Sequence, residues 1–483
     1  MELNTLLLGE VLDALKELDD NSIDSIVTDA PYGLGKEPDP VEVMTDWIKQ
    51  GYHVIKSKSG FMGKSWDAFV PQPVVWKECY RVLKPGGHLL SFFGTRTIDW
   101  GVMALRFAGF EVRDCICWLY GQGFPKSLDI GKATGLPDWS GWGTGLKPGM
   151  EPIIICRKPI SEKTIAENVL KWGTGGINID ACRIEYNGKT DPRTFGGSWK
   201  TNKMAKDVYE GGYRGEDQTV SSVGRFPSNV ILECTCDEII ETGKAGQPYE
   251  YKENEYEVEG FIHNIKPNSP SNYNDVNLQH IHTNPDCPCY ILDHQSGESK
   301  SGFMRKDQHR HQEGGYHGGF PQDRTGARDT YGDKGFASRF FYQAKASRRE
   351  RNIGLEDFKT EVKVGHNHFD KCKKCGGYIL QNPDRKSACK CEIPEREDNI
   401  VSGNFHPTIK PLSLIRYLVR LVTPKGGICL DPYIGSGTTA MACILEDINF
   451  IGIDNNEDYL DIAAKRIAAI VEHKRLKEKK DVV

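Results

Sequence analysis

Apolar and polar positions alternate in short, regular blocks near both ends of this chain and lose their period in the middle. Over the first 120 residues, SIDSIVTDA reads as a strand, Pro71 to Leu83 as a helix, Lys84-Pro85-Gly86-Gly87 as a turn and HLLSFFG as another strand. The last 80 residues carry the same alternation: Pro411 to Val422 is helical, GICLDPY a buried strand, Thr438 to Glu446 helical and INFIGID a strand, and a long helix starts at Glu457. Such alternation predicts two α/β halves of a doubly wound sheet. From about residue 125 to 400, Gly, Trp, Tyr, Asn, Pro and clustered Cys replace the periodic pattern. Loops longer than ~15 residues are uncommon in compact domains unless functional or disordered. The middle is therefore expected to be a separate, loop-rich recognition region held partly by metal. The expected organisation is an N-terminal half over residues 1–125, a central region over 126–400 with insertions near 233–290 and 366–395, and a C-terminal half over 401–483.

Length and composition agree with this division. At 483 residues the chain exceeds the size, roughly 250 to 300 residues, at which one hydrophobic core stops growing. A hydrophobic fraction of 38% and 51 glycines describe a protein with much loop. No run of ~18 apolar residues occurs, and the opening MELNTLLLGEVLDALKEL carries acids within its apolar stretch, so neither a membrane span nor a secretory leader is expected. Fifteen cysteines in a cytosolic chain point to metal ligands and buried thiols instead of disulfides. The net charge of −5 does not favour a polyanionic partner, but its distribution is uneven. Residues 233 to 262 hold nine acids against two lysines, and residues 300 to 351 hold twelve Lys or Arg against six acids. The second stretch is a candidate phosphate-contacting surface, although a solvated face is the commoner meaning of a charge run.

Two short segments carry the chemistry. In ICLDPYIGSGTTAMACILE an apolar strand ends at Asp431, a loop supplies Gly435 and Gly437, and Thr438 opens a helix. Glycines let backbone pass close to a ligand at the carboxyl end of a parallel strand, where open α/β sheets bind cofactors. No Lys follows them, which excludes a Walker-type phosphate loop, and Ala440 stands where a dinucleotide fingerprint has its third Gly. IGID then places Asp454 at the end of the next strand, where a carboxylate can accept hydrogen bonds from a ribose diol. The pair reads as a nucleoside-cofactor site; a tight turn with a structural Asp is the alternative. Near the N-terminus, SIDSIVTDAPYG puts a carboxylate, a carbonyl, a proline and an aromatic ring in succession. A base amino group is a weak nucleophile because its lone pair is delocalised into the ring. Acceptors on its two hydrogens, the Asp29 carboxylate and the Ala30 carbonyl, favour the tetrahedral nitrogen that attacks a methyl sulfonium. Pro31 stiffens the turn and Tyr32 can stack on a base rotated out of its duplex. Taken alone, the segment reads more readily as an ordinary strand-end turn than as a catalytic one.

Together the two segments resemble the amino-methyltransferase family that modifies adenine N6 or cytosine N4 in DNA, in its permuted β arrangement. LLLGEVLDALKELDDNSIDSIVTDAPYG, GKSWDAFV and VLKPGGHLLSFFGTRT resemble its N-terminal segments. WLYGQGFPKSLDIGKA, LKPGMEPIIICRKP, NIDACRI, GRFPSNVIL, LDHQSGESKSG, FFYQAKASRRERN and HPTIKPLSLIRYLVRLVT resemble its phage-type, site-specific members. The resemblance implies a Rossmann-like methyltransferase sheet in circularly permuted order and S-adenosylmethionine as cofactor. It also implies double-stranded DNA as partner, a homodimer as candidate assembly, a restriction–modification setting and the cytoplasm of a bacterial or phage-infected cell. The base-contacting turn maps to Asp29, Ala30, Pro31 and Tyr32, with Ala30 where the family usually has Pro. The cofactor loop maps to Asp431, Pro432, Gly435, Gly437, Thr438 and Thr439, and the ribose acid to Asp454. His406, Thr408 and Lys410 match a segment lying against the methionine part of the cofactor, and Glu10 stands where an Asp usually meets its adenine. Asp at the head of the turn resembles adenine-specific members, so N6-adenine is expected, with N4-cytosine as the alternative.

The cysteines fall into two candidate zinc groups. Cys372 and Cys375 with Cys389 and Cys391 give C-x2-C-x13-C-x-C, close to zinc-ribbon spacing. Cys234 and Cys236 with Cys287 and Cys289 bracket the acidic insertion, with His280 and His282 as reserve ligands. One or two structural zinc ions are expected. Two competing functions stay open from sequence: a zinc-bearing DNA-binding protein that keeps the fold without transferring methyl groups, and an oxidoreductase holding a dinucleotide in the Gly-rich loop.

Overall fold

The computed structural model describes residues 2–56, 60, 65–121, 127–184, 225–236, 239–243, 278–297, 299–300, 334–345, 348–355, 359–361, 400–402, 404, 406 and 408–481. Cys372, Cys375, Cys389 and Cys391, with most of the basic stretch from 300 to 351, lie outside the described residues. Two compact units are present, one of Met1–Cys182, Asn229–Cys234 and Ala344–Val483, the other of Arg183–Ser228 and Thr235–Gln343.

The first unit is built on a nine-stranded sheet. In chain order its strands are β1 (Thr5–Leu8), β2 (Ile23–Thr28), β3 (Leu83–Phe92), β4 (Glu111–Leu119), β5 (Met150–Arg157), β6 (Val230–Cys234), β7 (Tyr342–Lys345), β8 (Ile428–Asp431) and β9 (Asn449–Asp454). Across the sheet the order is β1-β9-β8-β2-β3-β5-β4-β6-β7. From β1 to β3 every pairing is parallel, and β5 runs antiparallel to both β3 and β4. The decisive neighbours are β8 and β2, with Cys429 opposite Ser25 and Leu430 opposite Ile26. Segments four hundred residues apart thus leave the sheet side by side, at the same carboxyl edge.

All six residues of β2 are buried, as a strand covered on both faces requires. Successive side chains of a strand point to opposite faces. Leu89, Leu430, Ile451 and Ile453 join one large core cluster with Leu15, Trp76 and Leu105 of the helices α1 (Val11–Lys16), α3 (Pro73–Val82) and α4 (Ile98–Ala108). Their strand neighbours Leu90, Cys429 and Phe450 lie outside that cluster and are also buried, which places a second apolar layer on the other face. Between α1 and α3 lies α2 (Pro40–Gln50). It starts where Asp39 accepts hydrogen bonds from the Val41 and Glu42 amides and ends at Gly51, in the left-handed conformation.

Strand and helix alternation at both chain ends matches the expected elements, and the α/β sheet is the expected class. Two features differ in detail. The Lys84 to Gly87 segment does not separate two elements. β3 begins at Leu83, and its register against β2 jumps from Leu83 to His88, so the four residues form an irregularity inside the strand, with Gly86 at φ 79°. The sheet also continues past residue 125, because β5 inserts between β3 and β4 and the first unit runs on to Cys182. Further helices of this unit are α5 (Ile165–Trp172), α7 (Leu412–Val422), α8 (Thr438–Leu445) and α9 (Glu457–Asp481). No helix among the described residues is long and apolar enough to cross a membrane.

In the second unit Ile239–Gly243 and Leu278–His282 pair as an antiparallel ribbon, followed by helix α6 (Pro288–Ser296). The Asp293 carboxylate of α6 accepts from the amide and hydroxyl of Ser338, both at 2.7 Å.

Candidate functional site

A cavity of about 300 Å³ opens at the carboxyl edge of the sheet in the first unit, and both sequence segments reach it. From the end of β8 come Asp431, Pro432, Gly435, Thr438 and Thr439. Asp454 comes from the end of β9, and Asp29 and Pro31 follow β2. Glu10, ahead of α1, and His406, Thr408 and Lys410, ahead of α7, complete the wall from the expected set. Ala30 is buried in the core beneath, and Gly437 caps α8 at φ 83°.

The glycine loop is shaped by close approach. Gly435 has φ 50°, and a Cβ added there would lie 2.7 Å from His406 Nε2; one on Gly437 would lie 2.8 Å from Ala463 Cβ. Side chains at these two places would collide with His406 and with Ala463 of α9. The Asp431 carboxylate is tied down, accepting from the Thr439 hydroxyl at 2.6 Å and the Tyr433 amide at 3.0 Å, and burial pushes its pKa up to about 6. Asp454 accepts from the amides of Gly435 at 3.0 Å and Asn456 at 2.9 Å, and burial raises its pKa. Glu10 accepts from Asn455 at 3.0 Å. The His406 ring stands edge-on to Tyr459 with centroids 4.5 Å apart, and its Nδ1 lies 2.9 Å from the Thr408 carbonyl oxygen. Burial lowers its pKa to about 4, so the ring is neutral at pH 7.

The turn after β2 is held by residues that the motif does not contain. Lys410 Nζ donates to Asp29 Oδ2 at 2.7 Å and lies 3.3 Å from Glu151 Oε2, and the Tyr32 hydroxyl donates to the same Glu151 oxygen at 2.6 Å. Lys410 also stands 5.3 Å from the Tyr32 ring centre and 5.1 Å from that of Phe92. Burial raises the pKa of Asp29, against the pull of the Lys410 ammonium. Thr97 donates to the Tyr32 carbonyl. Just beyond, the buried Asp67 carboxylate accepts from the amides of Gly33 at 2.9 Å and Leu34 at 3.3 Å. Behind the glycine loop Arg466, fully buried in α9, donates to the Ser436 carbonyl at 2.5 Å and lies 3.1 Å from the Thr438 hydroxyl. Glu151, Asp67 and Arg466 were not among the residues expected from sequence. Glu151 and Asp67 each stand beside an apolar run, and Arg466 falls on the apolar face of its helix; those were the available signals.

Of the second cysteine group, Cys236 and Cys287 converge with His282 in the second unit. His282 Nδ1 lies 3.6 Å from Cys236 Sγ and 3.9 Å from Cys287 Sγ. All three residues are buried, as is Cys234, two residues before Cys236 in the chain. Cys289, expected as the fourth member, is also buried, and the reserve ligand His282 stands beside Cys236 and Cys287. Cys287 caps α6, whereas Cys289 already lies inside the helix. The side chain of His280 and the quartet from Cys372 to Cys391 lie outside what is described. Trp139 and Trp142 are exposed, edge-to-face at 5.2 Å, and Trp172 Nε1 donates to Ser161 at 2.8 Å.

Residues 23–465 match the family model described as DNA methylase. The chain belongs to the DNA methylase family. Among curated relatives, the type II methyltransferase M.ScaI of Streptomyces caespitosus is 39% identical over 132 residues, 27% of this chain and 39% of that protein. M2.MboI of Moraxella bovis is 43% identical over 61 residues, 13% and 22% of the two chains. M.HindIII of Haemophilus influenzae is 28% identical over 189 residues, 34% and 61%. The chain thus matches these relatives over less than two thirds of their length. Similar solved structures are the M1.HpyAVI–SAM complex, 12% identical with a TM-score of 0.31 over 96% of this chain and 98% of that one, and the cytosine-N4-specific PvuII DNA methyltransferase, 10% identical with a TM-score of 0.37 over 96% and 85%.

Proposed function

We propose that the protein transfers a methyl group from S-adenosylmethionine to the N6 amino group of adenine in double-stranded DNA. The observation that carries this reading is the meeting of the Asp29 turn and the Asp431 to Thr439 loop around one cavity, from adjacent parallel strands. The cavity size suits a small-molecule cofactor. Gly435, packed against His406 with no room for a side chain, leaves backbone at the wall, and Asp454 offers its carboxylate to a ribose diol. When bound, the cofactor supplies a methyl on a sulfonium. Asp29 and the Ala30 carbonyl then accept the two amino hydrogens and draw the nitrogen lone pair out of the ring, so that transfer is direct, with no covalent enzyme intermediate. Lys410 holds Asp29 in place and favours its ionised form. Asp at the head of the turn favours adenine over cytosine. Mass spectrometry of nucleosides from DNA treated with the protein and cofactor tests the choice of base. N6-methyladenine is the expected product; N4-methylcytosine would overturn the base assignment, and no methylated base would favour a DNA-binding protein without transfer activity.

The group of Cys234, Cys236, His282 and Cys287 is read as a structural zinc site. For Zn–S near 2.3 Å and Zn–N near 2.05 Å, the S···N edge of a tetrahedron is about 3.6 Å. The observed 3.6 and 3.9 Å match that edge. Four protein ligands leave no open position, so the role is to fix the base of the acidic insertion and not to catalyse. Purified protein should hold at least one zinc by elemental analysis, and Cys287→Ser should lose one equivalent; an unchanged zinc content would reject these ligands.

A further inference from the structure

Glu151 is the second residue of β5, immediately before the apolar run Pro152 to Cys156, and its side chain is largely buried. A carboxylate is costly to bury unless it is paired and hydrogen-bonded. Its Oε2 accepts from the Tyr32 hydroxyl at 2.6 Å and lies 3.3 Å from Lys410 Nζ, which itself donates to Asp29 at 2.7 Å. One carboxylate oxygen therefore connects the ring that would stack on a base to the cation beside the amino-group acceptor. We propose that Glu151 is a positioning residue of this site, which fixes the Tyr32 ring and anchors Lys410 as the counterion of Asp29.

The inference rests on the methyl-transfer reading. Three charged groups form the cluster, two carboxylates sharing one ammonium. Around Asp29 stand Lys410 from the segment before α7, Glu151 from β5, Tyr32 from its own turn and Asp431 from the end of β8; Tyr120, after β4, faces Glu151. Burial raises the Asp29 pKa, Lys410 lowers it and the Glu151 charge raises it again. Removing Glu151's charge while keeping its oxygen leaves Lys410 to serve Asp29 alone. Removing Lys410's charge leaves Asp29 beside an unneutralised Glu151. The two changes must move Asp29 in opposite directions, which no loss of packing would do.

The test measures kcat/KM against pH for methyl transfer from labelled S-adenosylmethionine to amplified, unmethylated bacterial DNA. Glu151→Gln should move the acid limb to lower pH by roughly one unit, and Lys410→Met should move it to higher pH by ~1 to 3 units. Glu151→Asp keeps the charge but shortens the reach, so its acid limb should stay in place while KM for DNA rises. Far-UV circular dichroism and a cooperative thermal transition near that of the wild type show that each variant folds. Acid limbs of Glu151→Gln and Lys410→Met that coincide with wild type, or move in the same direction, would overturn the inference with the methyl-transfer reading intact. Wild-type protein that transfers no methyl would overturn both.

Discussion

Asp67→Ala removes the carboxylate that holds the chain immediately past Tyr32. Asp67 is 2% exposed; its two oxygens accept from the Gly33 amide at 2.9 Å and the Leu34 amide at 3.3 Å. The turn has no slack into which it could relax, because Gly33 sits at φ 68° with its Cβ direction only 2.6 Å from the Val70 nitrogen. A hydrogen bond to a charged group contributes ~1.5 to 3 kcal/mol, and the longer bond less. The loss should total about 2 to 4 kcal/mol in urea denaturation, a large part of a typical folding free energy of ~5 to 15 kcal/mol. Since the loosened turn begins one residue after Tyr32, kcat for methyl transfer should fall by roughly 10- to 100-fold. Cofactor affinity should barely change, because the cofactor loop follows a different strand. Asp67→Asn, with one carbonyl oxygen left to accept, should fall between the two. Asp67→Ala protein within about 0.5 kcal/mol of wild type and with unchanged kcat would refute the reasoning.

Arg466→Met removes the guanidinium behind the glycine loop and should weaken S-adenosylmethionine binding by about tenfold or more in calorimetry, with Arg466→Lys failing to rescue it because an ammonium lacks the planar fork. An unchanged Kd would show that the loop keeps its shape without Arg466. His88 and His406 are both held down to about 4 from 6.5 by burial, so between those values the unfolded chain takes up protons that the folded one does not. Stability should therefore be fully present above pH 6.5 and fall as the pH drops towards 4, by at most about 3 kcal/mol per histidine. Thermal unfolding across that range checks this, and His88→Gln should flatten the slope.

The ends of the fold were readable because their strands and helices alternate in the chain as they do in space. β5 was not, since an antiparallel strand reached after a thirty-residue excursion breaks that alternation, and only the run Ile153 to Cys156 marks it. The cavity's residues were readable wherever backbone chemistry demands a residue type, as at Gly435, Asp431 and Asp454. Partners reached across the fold were silent: Lys410 was expected beside the cofactor, but its ion pair with Asp29 spans 381 positions, and the bond from Tyr32 to Glu151 spans 119. Arg466 had a local signal. It stands four residues from both Ile462 and Ile470, on the buried face of α9, where a charge must have a partner. At the cysteine group the sequence named Cys234, Cys236, Cys287 and Cys289 with His280 and His282 in reserve, and the ribbon pairing Ile239 with His282 is what brings that histidine to Cys236.

Methyl transfer from labelled S-adenosylmethionine to unmethylated duplex DNA, measured for the wild type and Asp29→Ala with cofactor affinity in parallel, tests the central claim most directly. The arrangement predicts labelled DNA from the wild type, none from Asp29→Ala, and similar cofactor Kd values for both. Full transfer by Asp29→Ala would contradict it.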